Sequence, residues 1–131
     1  MSDGDTTRRV LVVSDRRDVG KFLTRLIENA GHDTGACRGE DVAVELSSAM
    51  PRFDVVLGDA IDVATVSRVR SLSEDDRAAT PIVVLAAENA TDASREAILA
   101  AGAGAWLRRP IAAAELVDAV ENAAAGASDD R

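Results

Sequence analysis

The stretch Phe53-Asp54-Val55-Val56-Leu57-Gly58-Asp59 decides the fold. Val55, Val56 and Leu57 form a short continuous apolar run, the pattern of a strand buried on both faces of a parallel sheet. Asp59 stands where the run stops, at the strand's C-terminal end. In an open α/β sheet, that edge is where ligands bind. Working outward, Arg9–Val13 is a second such run and ends at Ser14-Asp15. Pro81–Ala87 is another, and Ala105-Trp106-Leu107 a fourth that ends at Arg109-Pro110. His32 to Arg38 is weaker and more polar, as a strand near a sheet edge would be.

Helices fill the intervals. Asp18 is an N-cap candidate, followed by Val19, Phe22, Leu23, Leu26, Ile27 and Ala30 on one face, with Gly31 as the stop. A second helix opens at Gly39-Glu40-Asp41, turns Val42, Leu46 and Ala49 inward and ends at Pro51. Val63 to Leu72 reads as a third, followed by a polar loop from Ser73 to Thr80 with a solvated acidic run, Glu74-Asp75-Asp76. Thr91 or Asp92 caps a fourth that runs to Ala101. Ala113, Leu116, Val117, Val120 and Ala124 stripe the last. Five alternating β-α units predict a doubly wound parallel sheet with helices on both faces, in strand order 2-1-3-4-5. Ser14-Asp15 and Asp59 then flank the switch point, with Ala86 and Arg109 beside them.

Composition sets outer bounds. The 131 residues predict one domain, spanning 9–124, between flexible tails at 1–8 and 125–131. No apolar run approaches a membrane span and no secretory signal opens the chain, so a cytoplasmic location is expected. The net charge of −8 argues against nucleic acid as a direct partner, and two Phe, one Trp and no Tyr leave no stacking platform. The single cysteine, Cys37, makes neither an internal disulfide nor a metal cluster and reads as a packed residue; His32 reads as structural.

Four segments in order resemble the receiver domain of two-component response regulators. They are Val10–Asp15, Asp54–Asp59, Thr80–Ala87 and Gly102–Pro110. The resemblance implies a flavodoxin-like, three-layer fold and no enzyme of metabolism. It makes Asp59 the phosphoacceptor-equivalent position and Trp106 the switch aromatic position. It implies Mg²⁺ held by carboxylates and a backbone carbonyl, here Asp15, Asp59 and Ile61. It also implies protein partners, a sensor kinase or an output protein, meeting the face of helix 4, strand 5 and helix 5, with a homodimer through the same face. On that face Ala97, Ala101, Ala112 and Ala119 allow close packing.

This sequence departs from the family pattern at most functional positions. Ser14 replaces one carboxylate of the acidic pair, so Mg²⁺ binding is expected to be weak. Ala86 replaces the strand-4 Thr or Ser and offers no hydrogen bond. Arg109 replaces the strand-5 lysine, and the chain's only lysine, Lys21, lies on the first helix. Arg109 is expected to pair with Asp59 or Asp15, since guanidinium matches carboxylate bidentately. Ala60-Ile61-Asp62 runs almost directly into the third helix. The favoured reading is an atypical receiver, or pseudo-receiver, that acts through protein contacts with an impaired phosphoryl switch. The alternatives are a working receiver phosphorylated on Asp59 with Mg²⁺ and, further off, a small flavin or nucleotide carrier. Asp15-Arg16-Arg17 is poor chemistry for the phosphate loop such a carrier needs.

Overall fold

The computed structural model describes residues 7–49, 52–72 and 80–128. Five strands, β1 (Arg9–Val13), β2 (Asp33–Cys37), β3 (Val55–Asp59), β4 (Ile82–Ala86) and β5 (Ala105–Arg108), alternate with five helices. These are α1 (Arg17–Asn29), α2 (Val42–Ser48), α3 (Val63–Arg70), α4 (Asp92–Ala101) and α5 (Ala113–Ser128). The sheet is wholly parallel in the order β2-β1-β3-β4-β5, as the spacing predicts.

Both faces of the central strands are covered, which explains their unbroken apolar runs. Leu11, Val13, Val56, Ile82 and Val84 face α2, α3 and α4, meeting Val42, Leu46, Val66, Val69 and Ile98. Val10, Val12, Val55, Leu57, Val83 and Leu85 face α1 and α5, meeting Leu23, Ile27, Leu116, Val120 and Ala124. The strand period of two divides alternate residues between these layers. Each fully buried Leu or Ile contributes about 1.5–3 kcal/mol, and Leu57→Ala at the centre would cost about 2–5 kcal/mol.

Several local expectations need correction. Asp18 does not cap α1; Arg16 is the N-cap, and Asp18 lies in the first turn, where its charge still suits the helix dipole. Phe22 is 62% exposed because the buried stripe of α1 is narrow and centred on Leu23 and Ile27. Gly39–Asp41 opens the second helix as expected, as a 3-10 turn that leads into α2. Pro51 and most of the Ser73–Thr80 loop, including Glu74-Asp75-Asp76, lie outside the described residues. The helix α5 continues past Ala124, where its apolar stripe ends, to Ser128.

Thr91 caps α4 by accepting from the Ser94 N–H at 3.1 Å. Gly102 ends it with φ +122°, a conformation that favours glycine. Arg70, at the end of α3, donates to the Gly102 carbonyl from Nε (3.0 Å) and Nη2 (2.7 Å), and to the Thr80 carbonyl from Nη1 (2.9 Å). His32 is buried: its Nδ1 accepts from the Arg8 N–H at 3.0 Å and its Nε2 lies 2.8 Å from Glu121. It joins the start of β1 to α5, a structural role. Cys37 packs against the α2 side of the core; burial foremost, then Glu45, Asp41 and Asp15, pushes its thiol up to about 12.

Candidate functional site

Asp59 closes β3 in register with Leu85 of β4, and its side chain is 1% exposed. A buried carboxylate needs partners, and three side chains supply them. Ser14, the first residue after β1, donates from Oγ to Oδ2 at 2.8 Å. Arg16, extended at the α1 N-cap, donates from Nη2 to Oδ1 at 2.8 Å and from Nε to Oδ2 at 3.2 Å. Arg109, just past β5, places Nη2 2.9 Å from Oδ1. The Ser14–Arg16 turn is held by the Arg16 N–H donating to Ser14 Oγ at 3.0 Å.

Burial pushes the Asp59 carboxyl up, but hydrogen bonds from Arg16 and Ser14, with the charge of Arg109, outweigh it. The net effect holds Asp59 below its ordinary value. Arg16 is raised in turn, first by its hydrogen bond to Asp59. The clamp has a cost: Arg109 Nη1 is buried without a hydrogen-bond partner.

Asp15 does not join this cluster. It turns toward β2, where its Oδ1 accepts from the Gly39 N–H at 2.9 Å and lies 3.9 Å from Arg38 Nε. Ala86 is buried at the end of β4, and its carbonyl accepts from the Arg109 N–H at 3.1 Å. Trp106 is half-buried against the α2–α4 side of the core, with the Arg108 guanidinium 5.8 Å from its ring centroid. It packs on the α4 side because neighbours on β5 point to opposite faces, and Ala105 and Leu107 take the α5 side.

The connection from β3 to α3 is short because two residues permit it. Ala60 takes φ +54°, rare for a residue with a side chain. Gly58 leaves room for Ile61 to fold back: a Cβ there would lie 2.6 Å from Ile61 Cδ1. Asp62 then caps α3, accepting from the Thr65 N–H (2.9 Å) and hydroxyl (2.8 Å), which hold its carboxyl below the ordinary range.

Asp15, Asp59, Ile61, Asp62 and Thr65 line a cavity of about 70 Å³. As arranged, its donors do not fit Mg²⁺. Both Asp59 oxygens are taken by cations and a hydroxyl, Asp15 Oδ1 by an amide, and Asp62 Oδ1 by Thr65. Among the described residues, no three His, Cys, Asp or Glu side chains converge on one ion.

Arg16 is the partner of Asp59 that the sequence reading overlooked. Its signal was a cation directly after the Ser14-Asp15 strand end, but helical and strand periodicities say nothing about where a turn residue reaches.

This sheet order, with its carboxylate at the end of the third strand, is that of the receiver domain. No protein-family profile matches the chain. It is similar to the sensory/regulatory protein RpfC of Xanthomonas campestris, 31% identical over 123 residues, covering 88% of this chain and 16% of that protein. It is also similar to the transcriptional regulatory protein PrrA of Mycobacterium tuberculosis, 35% identical over 127 residues, covering 92% of this chain and 52% of PrrA. The chain thus spans about half or less of the curated relatives it matches. A putative response regulator from Chloroflexus aurantiacus superposes with a TM-score of 0.79 at 25% identity, covering 92% of this chain and 99% of the other. The receiver domain of the sensor histidine kinase PA1611 from Pseudomonas aeruginosa, solved with magnesium in its active-site cleft, superposes at 0.76 with 20% identity, covering 92% and 99%. The chain has the fold of these receiver domains, and over about nine-tenths of its length it is similar to part of these regulatory proteins.

Proposed function

We propose that this is a pseudo-receiver: a receiver domain that signals by protein contact, with its phosphoryl switch impaired, and that catalyses no metabolic reaction. One observation carries this reading, the double arginine clamp on Asp59. Phosphoryl transfer needs the carboxylate oxygen as nucleophile and a cation to offset charge on the transferring group. Arg16 and Arg109 lower the electron density of that oxygen and occupy the approach to it. Ala86 then offers no donor to a phosphoryl group, so strand 4 has no differential contact with which to shift a conformational equilibrium. Partners, a kinase or an output protein, and a second copy of the chain would meet the face of α4, β5 and α5, where Ala97 and Ala112 are exposed. Incubation with acetyl phosphate and Mg²⁺, followed by intact-mass measurement, tests this. No added phosphoryl mass is expected; stoichiometric, Mg²⁺-dependent modification at Asp59 would overturn the reading.

A second reading, a receiver that accepts phosphate on Asp59 with weakly held Mg²⁺, is favoured by one feature. The Arg16 side chain is 56% exposed, so it can leave Asp59 without breaking the core, and the cavity beside Asp15 and Ile61 would then gain a carboxylate.

A further inference from the structure

On this acidic molecule a groove of about 700 Å³ between α1 and the edge strand β2 gathers positive charge. Five of the chain's 15 lysines and arginines line it: Arg16, Arg17, Lys21, Arg25 and Arg38, against the carboxylates of Asp15 and Glu28. Both carboxylates are engaged, Asp15 by the Gly39 amide and Glu28 by the Thr34 hydroxyl at 2.8 Å. Arg17, Lys21 and Arg25 repeat every four residues, so they form one row on α1, about 6 Å apart and about 12 Å long. Their charged ends make no ion pair or hydrogen bond with any described residue. Like charges at this spacing destabilise a helix. Of the molecule's 23 Asp and Glu residues, only Asp15 and Glu28 line the groove, against five cations. Between the cations the groove is lined by the small residues Gly20 and Ala36 and by Val12.

We propose that this groove binds a small molecule carrying two or more linked phosphates, and that the ligand competes with Asp59 for Arg16. The cation row matches the length of an oligophosphate, whereas a single phosphate would meet only one end of it. A volume of about 700 Å³ is large enough for a small ligand. Guanidinium forks suit phosphate oxygens as well as carboxylate. Arg16 lines the groove and at the same time holds Asp59, so one side chain serves both anions. Binding is independent of whether Asp59 can be phosphorylated and is measured without Mg²⁺ or a phosphoryl donor, so it stands or falls separately from the pseudo-receiver reading.

Calorimetry and amide NMR at matched ionic strength provide the test, with tripolyphosphate, ATP and an eight-residue glutamate peptide as probes. Tripolyphosphate should bind and shift the Arg17, Lys21, Arg25 and Cys37 amides. Reversal of the row, Arg17→Glu with Lys21→Glu and Arg25→Glu, should weaken binding about a hundredfold. Because that variant risks its fold, Ala36→Phe, which crowds the groove and leaves every cation in place, should also abolish binding. ATP binding more tightly than tripolyphosphate identifies a nucleotide as the source of the phosphates; equal affinity identifies the phosphate chain alone, and either supports the site. Asp59→Asn should tighten binding severalfold and move the Arg16 Nε–Hε signal; an unchanged affinity overturns the competition. No tripolyphosphate binding in the folded wild type, binding indifferent to both groove variants, or tighter binding of the glutamate peptide overturns the site.

Discussion

Asp59 is the residue on which stability and pH meet. Its folded value lies below that of an unfolded carboxylate, about 3.9. A group lowered in this way contributes stability that is present above the unfolded value and is lost as pH falls through the folded one. Wild-type stability should therefore decline below about pH 4 partly through Asp59, and Asp59→Asn should flatten that acid limb. At neutral pH the same variant leaves Arg16 and Arg109 without their shared anion and should cost about 1–2 kcal/mol. Urea unfolding across a pH series measures both effects; an acid limb of equal steepness in the variant would show that the clamp does not stabilise. Magnesium reports on the same residues. Wild-type affinity should be weak, and Arg16→Ala with Ser14→Asp should raise it about tenfold by releasing Asp59 and supplying a second acid. Equal affinities by calorimetry would refute this. A pairing of Arg109 with Asp59 or Asp15 was legible in the sequence because all three follow or close strand ends at one edge of the sheet, and the structure selects Asp59. Arg16 and the outward turn of Asp15 were not legible, since each depends on the geometry of a loop.

Among the elements, the three-residue β3–α3 connection is closely packed. Gly58→Ala would push a methyl group into Ile61, whose branched side chain has little freedom to yield, and should cost about 1–3 kcal/mol. Gly58→Ala/Ile61→Ala should recover part of that loss. A double-mutant cycle checks the pair, and additive costs would show that the clash is relieved elsewhere. The strands were legible because burial on both faces leaves continuous apolar runs that ladder pairing then fixes. Helix faces were less so. Phe22 fits the apolar period of α1 yet points outward, because a narrow contact with the sheet needs only Leu23 and Ile27 at its centre.

On the scale of the whole molecule, the expected output face is testable. Ala119 packs partly against the α1–α5 core, so a charge there would disturb the fold as well as the surface. Ala97 and Ala112 are exposed and make cleaner probes. Ala97→Glu should weaken self-association, or association with an output partner, in sedimentation velocity without lowering the melting temperature. Unchanged association, with loss caused instead by a charge on α2, would move the interface. A restored variant, Ser14→Asp, Ala86→Thr and Arg109→Lys combined with Arg16→Ala, should respond to beryllium fluoride and Mg²⁺ in backbone NMR where the wild type does not. An equal response in both would show a competent native switch.

The three hydrogen bonds from Arg70 have a mechanical consequence. They fasten the end of α3 to the turn between α4 and β5 and to the entry of β4, two segments that the Gly104 N–H to Ile82 carbonyl bond already joins at 2.9 Å. A lever fixed at its pivot cannot swing without carrying the frame along. Any motion of α4 has to travel as a rigid body with α3 or break two contacts to the Gly102 carbonyl at once. Amides of α4 and of the last turn of α3 should then exchange with solvent at a common rate, as one opening event.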